Sequence, residues 1–284
     1  MISKVKERAD VLAEALPYIQ KYDDKIVVVK YGGAAMLSGG ARDSVMRDIV
    51  LLNQIGVRIV LVHGGGPEIS DTLRQLGKKT RFVDGMRYTD AETAEIACMV
   101  LAGKVNKSLV SLIHKAKGRA IGLCGVDGEM LLVKKTDKAD LGFVGDIIAV
   151  DMNAVVSALN SGVVPVIATV GADDEGQVYN INADTAAAEI AAALGAEALI
   201  TMTDVRGLLR DKDDDDSLIQ EISVGEIPQL IESGVISGGM IPKVEGIRAA
   251  ITKGLKEAVI IDGRVPHAIL LELLSDSGFG TLIK

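Results

Sequence analysis

The sequence predicts an α/β protein: a three-layer sandwich around a large, mainly parallel sheet, with an N-terminal helix extension. Three observations lead there. Ile26-Val27-Val28-Val29 are four β-branched residues in a row, the mark of a strand buried on both faces beneath helices. Arg58-Ile59-Val60-Leu61-Val62-His63 repeats the pattern, and each run stops at glycines, Gly32-Gly33 and Gly64-Gly65-Gly66. Amphipathic helical stretches separate such runs, and strand alternating with helix is the pattern of a doubly wound sheet.

Composition narrows the function. With 284 residues, 48% of them hydrophobic and 25% charged, the chain can bury a large core in one domain or two lobes. Lys and Arg number 31 against 39 Asp and Glu, and the net charge of −8 argues against nucleic acid as a main partner. No run of eighteen apolar residues occurs, and the first residues lack the apolar core of a signal peptide, so the expectation is a cytoplasmic chain with no membrane partner. Cys98 and Cys124 form no CxxC and read as buried thiols. His63, His114 and His267 sit in no metal spacing, so no metal site is expected, and His63 reads as orienting its loop rather than as a base. Asn106-Lys107-Ser108 matches a glycosylation sequon, which means nothing in a cytosolic chain.

Taken in order, Ile2, Val5, Ala9, Leu12, Leu16 and Ile19 form one apolar stripe on a helix that Pro17 should kink or break near Leu16. That stripe packs on its own domain or on another subunit. Helices are expected from about Asp43 to Gly56 and from Pro67 to Gly77, then an extended hairpin over Arg81–Asp90 and a helix capped by Asp90. Short strands alternate with glycine turns between Arg119 and Val150, followed by a helix over Asp151–Ser161. Val163–Ala168 reads as a strand, although Pro165 is awkward in the middle of a sheet. Asn182 should cap an alanine-rich helix ending near Gly195, with Asp184 in its first turn, and that local role would by itself explain both residues. Ala198–Met202 is a further strand. The acidic run Asp211–Asp216 fails the calcium-loop template at Asp216 and Ile222 and reads as a solvated loop. Ser237–Lys243 precedes another helix, and the chain closes with strand Ala258–Asp262, a helix over Ala268–Leu274, and Gly278–Thr281.

Lys30 stands at the carboxyl end of the first strand beside bare glycine N–H groups, at the rim where open α/β sheets bind ligands. Ser237-Gly238-Gly239-Met240-Ile241-Pro242-Lys243 supplies a third glycine turn and a second lysine. Two lysines, glycine turns and an aspartate suit phosphoryl transfer, in which the enzyme mainly positions reactants and stabilises oxygen charge. Neither the Walker lysine loop nor the dinucleotide Gly-x-Gly-x-x-Gly is present, which disfavours the common nucleotide folds and a dehydrogenase.

Lys30-Tyr31-Gly32-Gly33, His63-Gly64-Gly65-Gly66-Pro67, Asp84-Gly85-Met86-Arg87, Tyr179-Asn180-Ile181-Asn182-Ala183-Asp184 and Gly238-Gly239-Met240-Ile241-Pro242-Lys243 together resemble the amino acid kinase family, in order over nearly the whole chain. The resemblance is closest to members that use ATP and Mg²⁺ to phosphorylate the γ-carboxylate of N-acetyl-L-glutamate, the second step of the acetylated route to ornithine and arginine. It implies that Lys30 and Lys243 stabilise the transferring phosphoryl group and that Asp184 holds both ammonium groups. Gly32, Gly33 and Gly65 would bind phosphoryl oxygens. Gly65, Gly66, Arg87, Asn180 and Asn182 would bind substrate, with Arg87 on its α-carboxylate. Thr203, Asp204, Gly207, Gly238 and Gly239 would lie by the nucleotide. Residues 23–195 would form the N-acetylglutamate lobe and 196–284 the ATP lobe. A γ-carboxylate is already ionised at neutral pH, so no general base is needed.

Glu14-Ala15-Leu16-Pro17-Tyr18-Ile19 and His267-Ala268-Ile269-Leu270-Leu271-Glu272 further resemble the hexameric, arginine-inhibited members, trimers of dimers. By that likeness residues 1–22 are an oligomerisation helix, and His267, Glu272 and Gly280 bind L-arginine as effector; an ordinary amphipathic helix over His267–Glu272 is the alternative. A nitrogen-signalling regulatory protein partners photosynthetic relatives and leaves no mark readable in these residues. Competing readings are a sister kinase acting on free glutamate, aspartate or carbamate, and a catalytically silent arginine sensor. The silent sensor would lack Lys30, Lys243 or Asp184, and all three are present.

Overall fold

The structure, a computed structural model, describes residues 2–36, 39–83, 85–275 and 278–284. Its main sheet has eight strands: β1 (Ile26–Tyr31), β2 (Arg58–His63), β3 (Ala120–Cys124), β4 (Val164–Ala168), β5 (Ala198–Thr203), β6 (Glu221–Ile222), β7 (Glu257–Asp262) and β8 (Thr281–Ile283). Their spatial order is β6-β8-β7-β5-β1-β2-β4-β3. The five pairings from β7 to β3 are parallel, while β8 runs antiparallel to β7. The expected α/β architecture is therefore present, and β1, the first run read from the sequence, lies at its centre.

Alternation along β1 builds the three layers. Val27, Val29 and Tyr31 face a core shared with the helices Gly39–Gln54 and Ala268–Leu273 and the long helical stretch that begins at Ala91. Val28, on the other face, joins the core under the helices Ala183–Ala193 and Met240–Thr252. Ala91–Lys115 is long and apolar enough to cross a membrane, yet Ile96, Val100, Leu101, Val105, Leu109 and Ile113 bury its inner side in the core. It is a core helix by its packing.

Several local expectations resolve. Helices Ile2–Glu14 and Leu16–Tyr22 meet at Ala15, and Pro17, in the first turn of the second, has no N–H to give the turn before it. Pro165 is tolerated because pairing of β4 with β2 begins only at Val166. The final helix pair differs from the sequence expectation: the helix begins at Met240, so Lys243 lies inside its first turn. Pro242 fits there because first-turn N–H groups have no intrahelical partner. The strand expected at Phe143–Gly145 lies instead over Gly145–Val150, in a smaller four-stranded sheet with Leu131–Lys135, Val170–Ala172 and Val178–Asn180. Cys124 is buried as expected, whereas Cys98 is only half-buried. In the hairpin, Phe82–Val83 pairs with Met86–Arg87; Asp84 lies outside the described residues.

Candidate active site

Two parallel strands end at one level. Tyr31 pairs with His63 at the carboxyl ends of β1 and β2, so both glycine turns leave the sheet side by side. The Gly64 N–H donates to the Tyr31 carbonyl at 3.1 Å and ties them together. Gly33 takes a φ of +63°, which costs a side chain and not glycine. A Cβ on Gly65 would fall 2.7 Å from Leu101 Cδ2 and 3.2 Å from Val105 Cγ2, so a side chain there would have to displace the helix packed behind this backbone.

Above these turns three charges converge. Lys30 Nζ lies 2.8 Å from Asp184 Oδ1, and Lys243 Nζ donates to Asp184 Oδ2. Lys30 comes from the end of β1 and is 6% exposed. Asp184 is set by its helix start, where the Asn182 side-chain oxygen accepts from the Asp184 and Thr185 N–H groups at 2.9 and 3.1 Å. Lys243 arrives from the Met240–Thr252 helix. Burial pushes the Asp184 carboxyl up, but the two ammonium groups more than reverse this and hold it below the usual carboxylate range. Burial also lowers the Lys30 ammonium, against the pull of Asp184. A carboxylate spanning two lysines fixes both cations and leaves one net positive charge for an anion.

Beside the triad is a cavity of about 170 Å³ lined by Gly64, Gly65, Gly66, Arg87, Asn180 and Asn182, among others. Arg87 is buried, stacked on Phe82 at 4.9 Å, and its Nη2 donates to the Gly66 carbonyl and to Ser70 Oγ, each at 2.8 Å. Its Nη1 is also buried and has no partner among the described residues. A guanidinium held on one side and unpaired on the other can receive a carboxylate. A larger cavity of about 430 Å³ adjoins, lined by Asp184, Lys243, Gly239, Asn182 and Thr185, with Thr136, Lys138 and Asp146 across from them. The two cavities share Gly85, Met86, Val144 and Asn182.

The structure thus brings together Lys30, Asp184, Lys243, Gly32, Gly65, Gly66, Arg87, Asn180, Asn182 and Gly239. Thr203 and Asp204 follow on β5, next to β1; Thr203 Oγ1 is engaged with the Val205 backbone at 3.0 Å. Gly238 stands at the same helix start as Gly239. Gly207 is closely packed: a Cβ there would lie 2.5 Å from Thr281 Oγ1. His267, Glu272 and Gly280 lie apart from the triad, around the Ala268–Leu273 helix. Sequence reasoning missed Ser70 and Phe82, which hold Arg87, and Thr136, Lys138 and Asp146, which come from the strand Gly145–Val150 and the segment before it without a motif. A buried arginine needs acceptors, but nothing in the spacing says which residues supply them.

A parallel sheet with two lysines on one aspartate, glycine turns beneath and an anion pocket beside it defines a phosphoryl-transfer protein of the α/β class. The family model for the amino acid kinase family matches residues 25–262. The chain belongs to the amino acid kinase family. Among curated relatives, acetylglutamate kinase of Clostridioides difficile (strain 630) is 52% identical over 278 residues, covering 98% of this chain and 97% of that protein. Acetylglutamate kinase of Nostoc sp. is 51% identical over 276 residues, covering 97% and 93%. Among solved structures, N-acetylglutamate synthase from Neisseria gonorrhoeae, complexed with coenzyme A and N-acetyl-glutamate, superposes with a TM-score of 0.85 at 26% identity. That match covers 97% of this chain but only 63% of the synthase chain. Carbamate kinase from Giardia lamblia shares the fold at a TM-score of 0.67 and 19% identity, over 91% of this chain and 98% of that one.

Proposed function

We propose that this chain catalyses the ATP-dependent phosphorylation of the γ-carboxylate of N-acetyl-L-glutamate. The observation that carries the reading is the buried, unpartnered Nη1 of Arg87 in a small cavity next to the Lys30–Asp184–Lys243 triad. Arg87 receives the α-carboxylate, which turns the γ-carboxylate toward the triad. One γ-carboxylate oxygen forms a bond to the γ-phosphorus of ATP, the bond from that phosphorus to the bridging oxygen breaks, and ADP leaves. The barrier is repulsion between two anions, and Lys30 and Lys243 oppose it from two sides. Gly33 and Gly65 N–H groups take phosphoryl oxygens, and Asn180 and Asn182 line the substrate cavity.

Gly238 and Gly239 at a helix start, with Thr203 and Asp204, are the nucleotide side; residues 23–195 carry the acceptor and 196–284 the ATP. Among the described residues no three His, Cys, Asp or Glu side chains converge to cage a metal. Mg²⁺ would therefore come on the nucleotide's own phosphates, the usual way this ion is held. It supplies charge neutralisation there.

The proposal extends to assembly and control. Val11, Leu12 and Leu16 are exposed in the single chain, which supports a second subunit as their cover and a hexamer built through the N-terminal helix. L-Arginine is the proposed effector at His267, Glu272 and Gly280, and a cytoplasmic location is the matching expectation. The test is hydroxylamine-trapped acyl phosphate in Mg-ATP with N-acetylglutamate or free glutamate, each with and without L-arginine. Product with N-acetylglutamate alone, lowered by arginine, is the expected result; product with free glutamate moves the chain to a sister kinase, and none with either favours the silent sensor.

A further inference from the structure

His63 and Asn106 are both fully buried directly behind the Gly64–Gly66 turn, and neither is used by the chemistry above. Their polar atoms form a connected chain in which the two Asn106 amide hydrogens are shared among three acceptors. The Asn106 side-chain nitrogen faces the carbonyls of Val166 at 2.8 Å and Leu123 at 3.2 Å, while its oxygen accepts from Lys107 Nζ at 3.0 Å. The amide therefore cannot be turned over: that nitrogen is the NH₂ group. The same nitrogen lies 3.1 Å from His63 Nε2. An amide NH₂ accepts nothing, so Nε2 must be the bare, accepting nitrogen of the ring. The ring proton is then on Nδ1, which donates to the Gly64 carbonyl at 2.9 Å. Burial supports this, lowering the His63 pKa to about 4 and keeping the ring neutral.

The consequence lies one peptide further on. No peptide bond among the described residues is cis, so the Gly64 C=O and the Gly65 N–H point in opposite directions across one plane. Holding the carbonyl inward on His63 turns the Gly65 N–H outward. That N–H donates to no backbone carbonyl among the described residues, and Gly65 lines the anion cavity. We propose that Asn106 and His63 are positioning residues that lock the Gly64–Gly65 peptide and aim the Gly65 N–H at the transferring phosphoryl group. This rests on the kinase reading of the site. The Asn106-Lys107-Ser108 stretch, empty as a sequon, thereby acquires a role: Asn106 sets the tautomer and Lys107 sets Asn106.

The test compares two substitutions. His63→Asn places an amide nitrogen near the position of Nδ1 and can still donate to the Gly64 carbonyl; His63→Gln reaches the Nε2 position and leaves that carbonyl without a donor. Loss of one aimed N–H at a developing oxyanion reduces turnover by about 100- to 1,000-fold. His63→Gln should show such a fall in kcat with KM for N-acetylglutamate little changed, and His63→Asn should recover most of it. Equal losses in both, or a loss confined to KM, would overturn the proposal. Should the glutamine variant fail to fold, ¹⁵N NMR of the wild-type histidines decides: a proton on Nδ1 and a bare Nε2 at His63 are expected, and a proton on Nε2 refutes the mechanism. An inactive wild-type enzyme would defeat the kinase reading instead, and the ring tautomer would still test the locked peptide.

Discussion

His267 Nδ1 stands 2.6 Å from Asp48 Oδ1, joining the helix behind the first glycine turn to the helix near the end of the chain. Asp48 is fully buried and its Oδ2 has no partner among the described residues, while His267 holds a left-handed φ of 63° at the start of its helix. Burial pushes the Asp48 carboxyl up to about 6, with the His267 contact pulling the other way. An acid protonated more easily in the folded than in the unfolded chain favours folding at low pH. Its contribution is full below the unfolded value near 3.8 and is lost as pH rises through about 6. Asp48→Asn removes that titration. Between about pH 4 and about pH 6 the melting temperature of the wild type should fall more steeply than that of Asp48→Asn, and parallel curves would show that Asp48 is not the titrating group.

Asp184 is the only described group shared by Lys30 and Lys243, so its charge cannot be removed without freeing both. Asp184→Asn keeps the shape and the helix start but leaves two ammonium groups unbalanced in a partly buried place. Turnover should fall by about 100-fold or more, as for loss of a preorganised charge at a reacting centre. Lys30, already lowered by burial and held up by Asp184, should also become easier to deprotonate, shifting the alkaline limb of the kcat profile to lower pH. A variant with normal turnover would remove Asp184 from the machinery.

How far the sequence was legible follows from range. The Ile26–Val29 run and its repeat at Ile59–Val62 could be read because burial on both faces is a local demand, met by β-branched residues in place. Asn182 could be read as a cap for the same reason. Lys243 was legible as a lysine after glycines, but its meeting with Asp184 depends on how the Met240–Thr252 helix crosses the sheet, a distance of 59 residues along the chain. Ser70 and Phe82 were illegible because their task is to hold Arg87, and any small hydroxyl or ring at the right place would do so. The resemblance offers Gly207 and Gly280 as site glycines, and both are also closely packed; a motif cannot tell a backbone that approaches a ligand from one that approaches a strand.

Arg87 offers a separable test of binding. Its fork is held by Gly66 and Ser70 and pinned on Phe82, so Lys cannot reproduce the planar, two-point grip on a carboxylate. A charge-assisted hydrogen bond is worth about 1.5–3 kcal/mol, so Arg87→Lys should raise KM for N-acetylglutamate by about 10- to 100-fold with a smaller effect on kcat. A change in the KM for ATP alone would place Arg87 on the nucleotide instead.

At Gly280 packing makes its own prediction. A Cβ would sit 2.0 Å from the Ile260 carbonyl, a backbone atom in the interior of β7 that cannot step aside. The N–H groups of Phe279 and Gly280 also donate to Glu272 Oε2 at 2.6 and 3.0 Å, closing this corner from the other side. Gly280→Ala should cost about 3 kcal/mol, a drop of roughly 6–12 °C in melting temperature, with or without arginine. Unchanged stability with altered arginine response would make Gly280 a regulatory rather than a packing position.

The N-terminal extension divides at Ala15, and the two halves should respond differently to truncation. In the second helix Tyr22 is buried, and its hydroxyl donates to Glu257 Oε1 at 3.0 Å, where Lys21 Nζ also bonds at 3.2 Å. These contacts fasten Leu16–Tyr22 to the start of β7 in the body of the protein. The first helix leaves Val11 and Leu12 63% and 72% exposed among the described residues. Removing residues 1–14 should therefore leave melting temperature and turnover near those of the full chain while abolishing hexamers and weakening inhibition by arginine. Removing residues 1–22 should in addition lower the melting temperature, because Tyr22 leaves the core. Hexamers that persist without residues 1–14, measured by light scattering, would assign assembly to another surface and leave the exposed Val11 and Leu12 unexplained.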